Sequence, residues 1–373
     1  MCSPLLRSAR AGRCNASCLR RAYSSAPSPA AEIDNARQYC LNLLQRQDSP
    51  SYILHTFIPP QARDAYLALR ALNLETARIA DTTTQPTIGA MRFQFWRDSV
   101  TAALAGTPPK HPIPLLLAAA NTSLQQRTGG RSRLSRAWLH RIIAEREKYL
   151  GNRPYPTLSA LETYAENTYS TLSYLTLSSL PLSSLTADHL ASHIGKATGI
   201  AAVLRSLPLL AFPPPPSGGT AQGSAPHPAV LLPLDIMAAH NVQEETILRT
   251  GPSAPGLRDA VFEVATRAND HLITAREMLR SLRAGQGAGH AFEHEGDAQR
   301  AGYDEVQSAT DAPSGKALRE VEAGFGVLMG AVPTRMWLER LEAVDFDVFD
   351  GRLRGPGWRL PWEAWWAFRR RKI

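Results

Sequence analysis

The sequence predicts one all-α domain. Three observations carry that prediction. Apolar residues recur at helical three- and four-residue spacing through most of the chain, and no stretch sustains the two-residue alternation of a half-buried strand. Proline and glycine gather in a few short runs that separate these segments. The 373 residues are 44% hydrophobic and 20% charged, an ordinary globular balance with ample material for a core.

The helices are taken in chain order. Ala36 to Arg46 is the first, and Pro59-Pro60 breaks the chain after it. A long helix runs from Gln61 to about Ala80, and Pro86 introduces another from Ile88 to Ala105. Thr107 to Pro112, with three prolines, is a loop. Further helices cover Pro114 to Gln126, Ser135 to Leu150, Leu158 to Ser179, Ala187 to Leu207, Val242 to Leu248, Leu257 to Arg283 and Arg335 to Val344. Residues 213–228, with four consecutive prolines, read as an exposed loop. Residues 284–313 are rich in Gly, Ala, Glu and Gln and poor in apolar side chains; too little surface is there to offset the entropy of ordering, which predicts disorder. The domain is therefore expected over 33–350, interrupted by these two insertions, with a tail at 351–373. No uninterrupted apolar run approaches the ~18 residues of a membrane span. Attachment to a membrane surface stays open.

The net charge of +8 is concentrated at one end. Arg7, Arg10, Arg13, Arg20 and Arg21 precede the first acid, Glu32; subtracting these five leaves +3. No basic stripe with interleaved aromatics remains, so nucleic acid is not the expected partner. The first 23 residues are Arg- and Ser-rich, acid-free and lack a long apolar core, the composition of a mitochondrial presequence, with cleavage expected after Tyr23 and a linker over 24–32. The alternative is a disordered basic tail. Cys2, Cys14 and Cys18 lie in that segment. Only Cys40 remains after it, which excludes an internal disulfide or a multi-cysteine zinc cluster in the mature chain.

Two helices draw attention by what they lack. Tyr66, Leu69, Arg70, Asn73 and Ala77 share a helix face. Aspartates at positions 73 and 77 would offer carboxylates on successive turns, a grip for Mg²⁺ and a diphosphate. Asparagine is a weaker, neutral ligand and alanine is none. On the helix from Ala187, Gly195, Gly199, Ala202 and Ser206 share a face and carry no charge. Small side chains there permit either close helix packing or a floor for a ligand.

The stretches ALRALNLETARIAD (68–81), TIGAMRFQFWRDSV (87–100), LETYAENTYSTLSYLTL (161–177), ADHLASHIGKATGIAAVLRSLP (187–208), VLLPLDIMAAHNV (230–242), AREMLRSL (275–282) and VPTRMWLERLEAVDFDVF (332–349) resemble the squalene/phytoene synthase family, and closely its mitochondrial branch, the complex I assembly factor 6 family. The resemblance implies an isoprenoid-synthase-type helical bundle. The family's enzymes hold Mg²⁺ and prenyl diphosphates on two aspartate-rich motifs. The first falls here on Asn73 and Ala77. The second begins at Ser206 without an acid, and the Gln and Asn upstream of it fall on Gly199 and Ala202. Arg70 and Arg205 match arginines of the enzymes and, with Lys196, are candidate pocket residues. The resemblance thus implies a non-catalytic assembly factor with no metal or cofactor. Its partners would be complex I subunits or assembly intermediates and the inner-membrane lipid surface, with a lipid or prenyl chain as a possible occupant of the old cavity. It would sit in the mitochondrial matrix, peripherally on the inner membrane. An active prenyl transferase, or a lipid- or quinone-binding protein unrelated to complex I, are the alternatives.

Other acids do not replace the lost pair by spacing alone. Glu75 and Asp81 are about 600° of helical rotation apart. Asp235 is expected to cap the helix that comes after it. His189 and His193 have the i, i+4 spacing of a zinc pair but no evident third ligand, which favours a packed or hydrogen-bonded pair. Arg141, Glu145, Arg146, Glu147 and Lys148 read most simply as a solvated charged face. At the end of the chain, Trp358, Trp362, Trp365 and Trp366 precede Arg369, Arg370, Arg371 and Lys372. This composition suits an anionic bilayer interface, and equally suits tryptophans that close the core.

Overall fold

The computed structural model describes residues 28–373 except 84, 181, 183, 214–227, 287–313 and 356. The expected presequence, most of the proline loop and nearly all of the expected insertion at 284–313 lie outside the described residues.

Seventeen α-helices succeed one another with no strand among the described residues. They are α1 (Pro29–Gln47), α2 (Ser49–Leu54), α3 (Arg63–Ala77), α4 (Ile79–Thr82), α5 (Pro86–Leu104), α6 (Pro112–Thr128), α7 (Arg136–Lys148), α8 (Leu158–Ala165), α9 (Thr171–Ser178) and α10 (Leu185–Ala211). Then come α11 (Leu234–Ala239), α12 (Glu244–Thr250), α13 (Leu257–Arg283), α14 (Ser314–Ala323), α15 (Phe325–Leu328), α16 (Ala331–Glu342) and α17 (Leu360–Arg370). A π-helical turn, Glu166–Ser170, joins α8 to α9.

Local chemistry sets the starts. The hydroxyls of Ser28, Ser135, Thr157 and Ser184 each accept a bond from a backbone N–H in the first turn of α1, α7, α8 and α10. Pro29, Pro86 and Pro112 lie in the first turns of α1, α5 and α6, where no N–H is needed. The cap at Ser28 carries α1 seven residues upstream of Ala36, into the stretch expected to be linker. The predicted helix over 61–80 is divided at Arg78 into α3 and α4. The predicted helix over 158–179 contains the π turn.

α10 lies at the centre, packed by α8, the π turn, α9, α13 and α16. It is long and apolar enough to cross a bilayer by composition, but most of that surface is buried inside the protein. Its apolarity is that of a core helix surrounded by others. α1, α3 and α6 form one packed group, α5 joins it to α7, and α17 lies over α16 and α2. Cys40 is buried in the core, and burial pushes its thiol up to about 12.

Two polar clasps lock helices together. Both carboxylate oxygens of Asp235 accept the N–H of Leu158 at 3.1 Å, and one also accepts that of Ile236 at 2.8 Å. Asp235 therefore ties α11 to the start of α8, where a cap on the next helix alone was expected. Glu162 on α8 accepts from Arg267 at 2.6 Å and meets His271 at 2.7 Å, both on α13; His271 in turn meets His193 at 3.0 Å. His189 and His193 pack as the expected pair, rings 5.1 Å apart, and His193 also joins a network reaching α13. Burial pushes the Glu162 carboxyl upward, but hydrogen bonds from His271 and Arg267 outweigh it and hold it at about 2. Its folded pKa is depressed, so its contribution is present above the ordinary value of 4.5 and lost as pH falls toward 2. Glu162→Gln should flatten the dependence of stability on pH across that window by roughly 1–2 kcal/mol, solvent screening included. Urea titrations at stepped pH check this; identical slopes in both proteins would refute it.

Candidate functional site

Four segments converge on one cavity. α3 brings Thr76 and Ala77, α4 brings Asp81, α7 brings Arg146, and α10 brings Ala202, Val203 and Ser206. Tyr149, Tyr155, Tyr164 and Tyr169 complete much of the wall around a volume of about 140 Å³. Three of the five positions singled out in the sequence, Ala77, Ala202 and Ser206, therefore face one space.

Asn73 and Gly199 play other parts. Asn73 is buried, and its Oδ1 accepts from Nη2 of Arg146 at 2.5 Å. Gly199 packs against α8: a Cβ there would lie 2.5 Å from that of Ala165. Gly195 likewise meets the π turn, where a Cβ would lie 2.4 Å from the Cα of Ser170. The small-residue stripe is thus divided. Its first half lets two helices approach, and its second half lines the cavity.

Arg146 dominates the electrostatics. The sequence placed it on a solvated face, but it is buried, as is Glu145, which pairs with Lys148 and accepts from Asn167. Nη1 of Arg146 donates to the Tyr164 hydroxyl at 2.8 Å. The guanidinium also stands 5.7 Å from the ring centre of Tyr164 and 5.9 Å from that of Tyr169. Burial works against its charge, yet the surrounding tyrosine oxygens hold its pKa above the ordinary value. No carboxylate among the described residues pairs with it. The signal was present in the sequence: Arg146 is three, four and seven residues beyond Ile143, Ile142 and Leu139, all buried, so it continues an apolar stripe.

The expected pocket cations lie elsewhere. Arg70 stacks over Tyr66 at 5.5 Å, and exposed Arg205 over Trp337 at 5.9 Å. Neither they nor Lys196 line the cavity. Asp81 does, at its exposed mouth, with Asn152 donating to it at 3.4 Å; burial of its carboxyl pushes its pKa up. No group of three or more His, Cys, Asp or Glu among the described residues is arranged to hold a metal ion.

The family profile for squalene/phytoene synthase matches residues 44–366. The chain belongs to the squalene/phytoene synthase family. Among curated relatives, it is 38% identical over 345 residues to NADH dehydrogenase (ubiquinone) complex I, assembly factor 6 of Rattus norvegicus, covering 92% of this chain and 85% of that one. The human protein of the same name is 37% identical over 341 residues, covering 91% and 84%. Among solved structures, a dehydrosqualene synthase in complex with ligand superposes with a TM-score of 0.58 at 12% identity, covering 92% of this chain and 99% of that one. A squalene synthase from Alicyclobacillus acidocaldarius gives 0.56 at 12% identity, covering 85% and 96%. The fold is the isoprenoid-synthase helical bundle.

The tail takes a definite place in this family member. Trp358, Trp362, Trp365 and Trp366 are 76%, 68%, 44% and 47% exposed, so they do not close the core. Leu360, Ala364 and Phe368 face inward instead, with Phe368 5.1 Å from Phe57. Arg369 and Arg370 stack over Trp365 and Trp366 at 5.7 and 4.8 Å. Arg371 turns inward over Phe368 at 4.3 Å.

Proposed function

We propose that this chain is a non-catalytic assembly factor for mitochondrial respiratory complex I, built on a prenyl-synthase fold whose metal-binding carboxylates are gone. The observation that carries this is the bond from Arg146 to Asn73. At the position where the family's enzymes place an aspartate for Mg²⁺, a neutral amide is already engaged by a fixed cation. Ala77, Ala202 and Ser206 add no charge. A guanidinium at that place repels a divalent ion, and without the ion the several kcal/mol of leaving-group stabilisation it supplies are missing. The volume argues the same way. A cavity of about 140 Å³ falls below the ~300–1,000 Å³ typical of sites that enclose a sizeable organic ligand. Two long prenyl chains do not fit there, nor does one complete lipid tail.

The assembly role is supported by the relatives named for it, which match along most of the chain. The Arg-rich, acid-free N-terminus supports import into the matrix. The exposed tryptophans of the tail, beside Arg369, Arg370 and Lys372, support peripheral attachment to an anionic inner-membrane surface.

Two experiments test the reading. Removing the gene should deplete complex I on native gels, and re-expression should restore it; normal complex I in the deletion strain would defeat the assembly role. Purified protein supplied with farnesyl or geranylgeranyl diphosphate and Mg²⁺ should release no pyrophosphate above the protein-free rate. Sustained turnover would restore the active-transferase reading.

A further inference from the structure

A second hollow lies beside the C-terminal end of α17, walled by that helix, the end of α14, α15 and the chain leading into α3. Its volume of about 350 Å³ is at the small end of the ~300–1,000 Å³ range of sites that enclose an organic ligand. Phe57, Pro59 and Phe368 give it an apolar wall, and Arg63, Arg371 and Glu322 give it charge. Both arginines are held by neutral groups. Nε of Arg63 donates to the Ile58 carbonyl at 3.0 Å and Nη2 to that of Thr56 at 3.3 Å, while Arg371 lies over Phe368 at 4.3 Å and over Phe325 at 5.2 Å. Neither forms an ion pair among the described residues. Arg283 brings a third cation close by donating to the Arg371 carbonyl. Burial, with the charge of Arg371, pushes the Arg283 pKa down, and Glu322 offsets only part of this. Three cations thus stand against one exposed acid around a largely apolar hollow.

We propose that this hollow seats the headgroup of an anionic phospholipid, with Arg63 and Arg371 serving the phosphate and Phe57, Pro59 and Phe368 covering the glycerol and the first methylenes of the acyl chains. Guanidinium is the side chain best matched to phosphate oxygens, through directed charge-assisted bonds. The apolar wall favours a phosphate that carries carbon over a bare ion. The hollow adjoins the surface suited to a bilayer: the exposed Trp365 and Trp366, stacked by Arg369 and Arg370, lie on the same helix within two turns of Arg371. The site rests on the membrane attachment proposed above for its access to lipid, and deepens it. The tryptophans supply contact with any interface, and the hollow supplies a choice of headgroup.

The test is calorimetric titration of the full chain with dihexanoyl phosphatidylglycerol, kept below the concentration at which it forms micelles. One molecule per chain should bind. Inorganic phosphate, which leaves the apolar wall empty, should bind at least ~10-fold more weakly. Arg63→Gln and Arg371→Gln should each weaken lipid binding by ~10-fold or more. Glu322→Gln should tighten it ~3–10-fold, and its exposed position keeps the test decisive if Arg63→Gln does not fold. A monomeric lipid needs no bilayer, so the two readings fail separately: loss of vesicle partition with this titration intact would fault the attachment and uphold the site. No saturable binding up to millimolar lipid, inorganic phosphate binding as tightly as the lipid, or lipid binding unaltered by Arg371→Gln and Glu322→Gln would overturn the site.

Discussion

One methyl group at Gly195 should cost the fold about 3 kcal/mol or more. The Cβ of Gly195→Ala would stand 2.3 Å from the Ser170 hydroxyl oxygen, 2.4 Å from the Ser170 Cα and 2.5 Å from its N. A flexible side-chain tip could swing away, but two of these atoms are backbone. They belong to the π turn, which is held on several sides. Ser170 donates to the Ser192 carbonyl at 3.0 Å, Tyr174 donates to Glu166 at 2.6 Å, and Ser192 donates to the other Glu166 oxygen at 2.8 Å. Relief therefore means separating α10 from the π turn that packs against it in the core. Gly315→Ala in α14 is the control, because nothing lies within 4 Å of its added carbon. That change should be neutral or slightly stabilising. Chemical denaturation of both variants checks the prediction; a loss below ~1 kcal/mol at Gly195 would contradict it.

The second large effect concerns the membrane. Replacing Trp358, Trp362, Trp365 and Trp366 together with alanine should lower partition to vesicles rich in anionic phospholipid by ~30-fold or more. These indoles are largely outside the core, so their loss leaves Leu360, Ala364 and Phe368 to hold α17 in place. The basic cluster supplies the complementary part at about 1 kcal/mol per charge near the surface, so raised salt should weaken binding of the unaltered protein. Vesicle co-sedimentation at two ionic strengths measures both. Equal partition of the two proteins would remove the tail as the anchor.

The architecture was legible because the long helices repeat their apolar spacing many times. α10 and α13 run for 27 residues each, and the sequence locates both. Short helices lack that repetition. α2, α11, α15 and α17 span no more than eleven residues, begin at or close to prolines or glycines, and are recognisable only from what they pack against. The π turn eluded prediction because one extra residue shifts the phase of a helix by about 100° without changing its composition. At the site, the family motif pointed to Ala77, Ala202 and Ser206, and these meet in one cavity. Arg146 did not stand out, since charges at residues 145–148 resemble a solvated pattern unless the apolar stripe of Leu139, Ile142 and Ile143 is extended to it. Burial of a charge is a tertiary property: Asn73, Tyr164 and Tyr169 come from three other segments to make it tolerable.

On the proposed non-catalytic reading, the bond between Asn73 and Arg146 would act as a ratchet. Asn73→Asp is the shortest mutational step back toward metal chemistry, yet the new carboxylate would find a guanidinium already 2.5 Å away. It would be neutralised internally before any solvent cation reached it. The variant should melt at a higher temperature and take up no Mg²⁺ in equilibrium dialysis; a lower melting temperature or firm Mg²⁺ uptake would break the ratchet. On that reading, recovering a metal site needs changes at Arg146 and at both motif positions, Asn73 with Ala77 and Ser206 with its upstream neighbours, so no single substitution is enough.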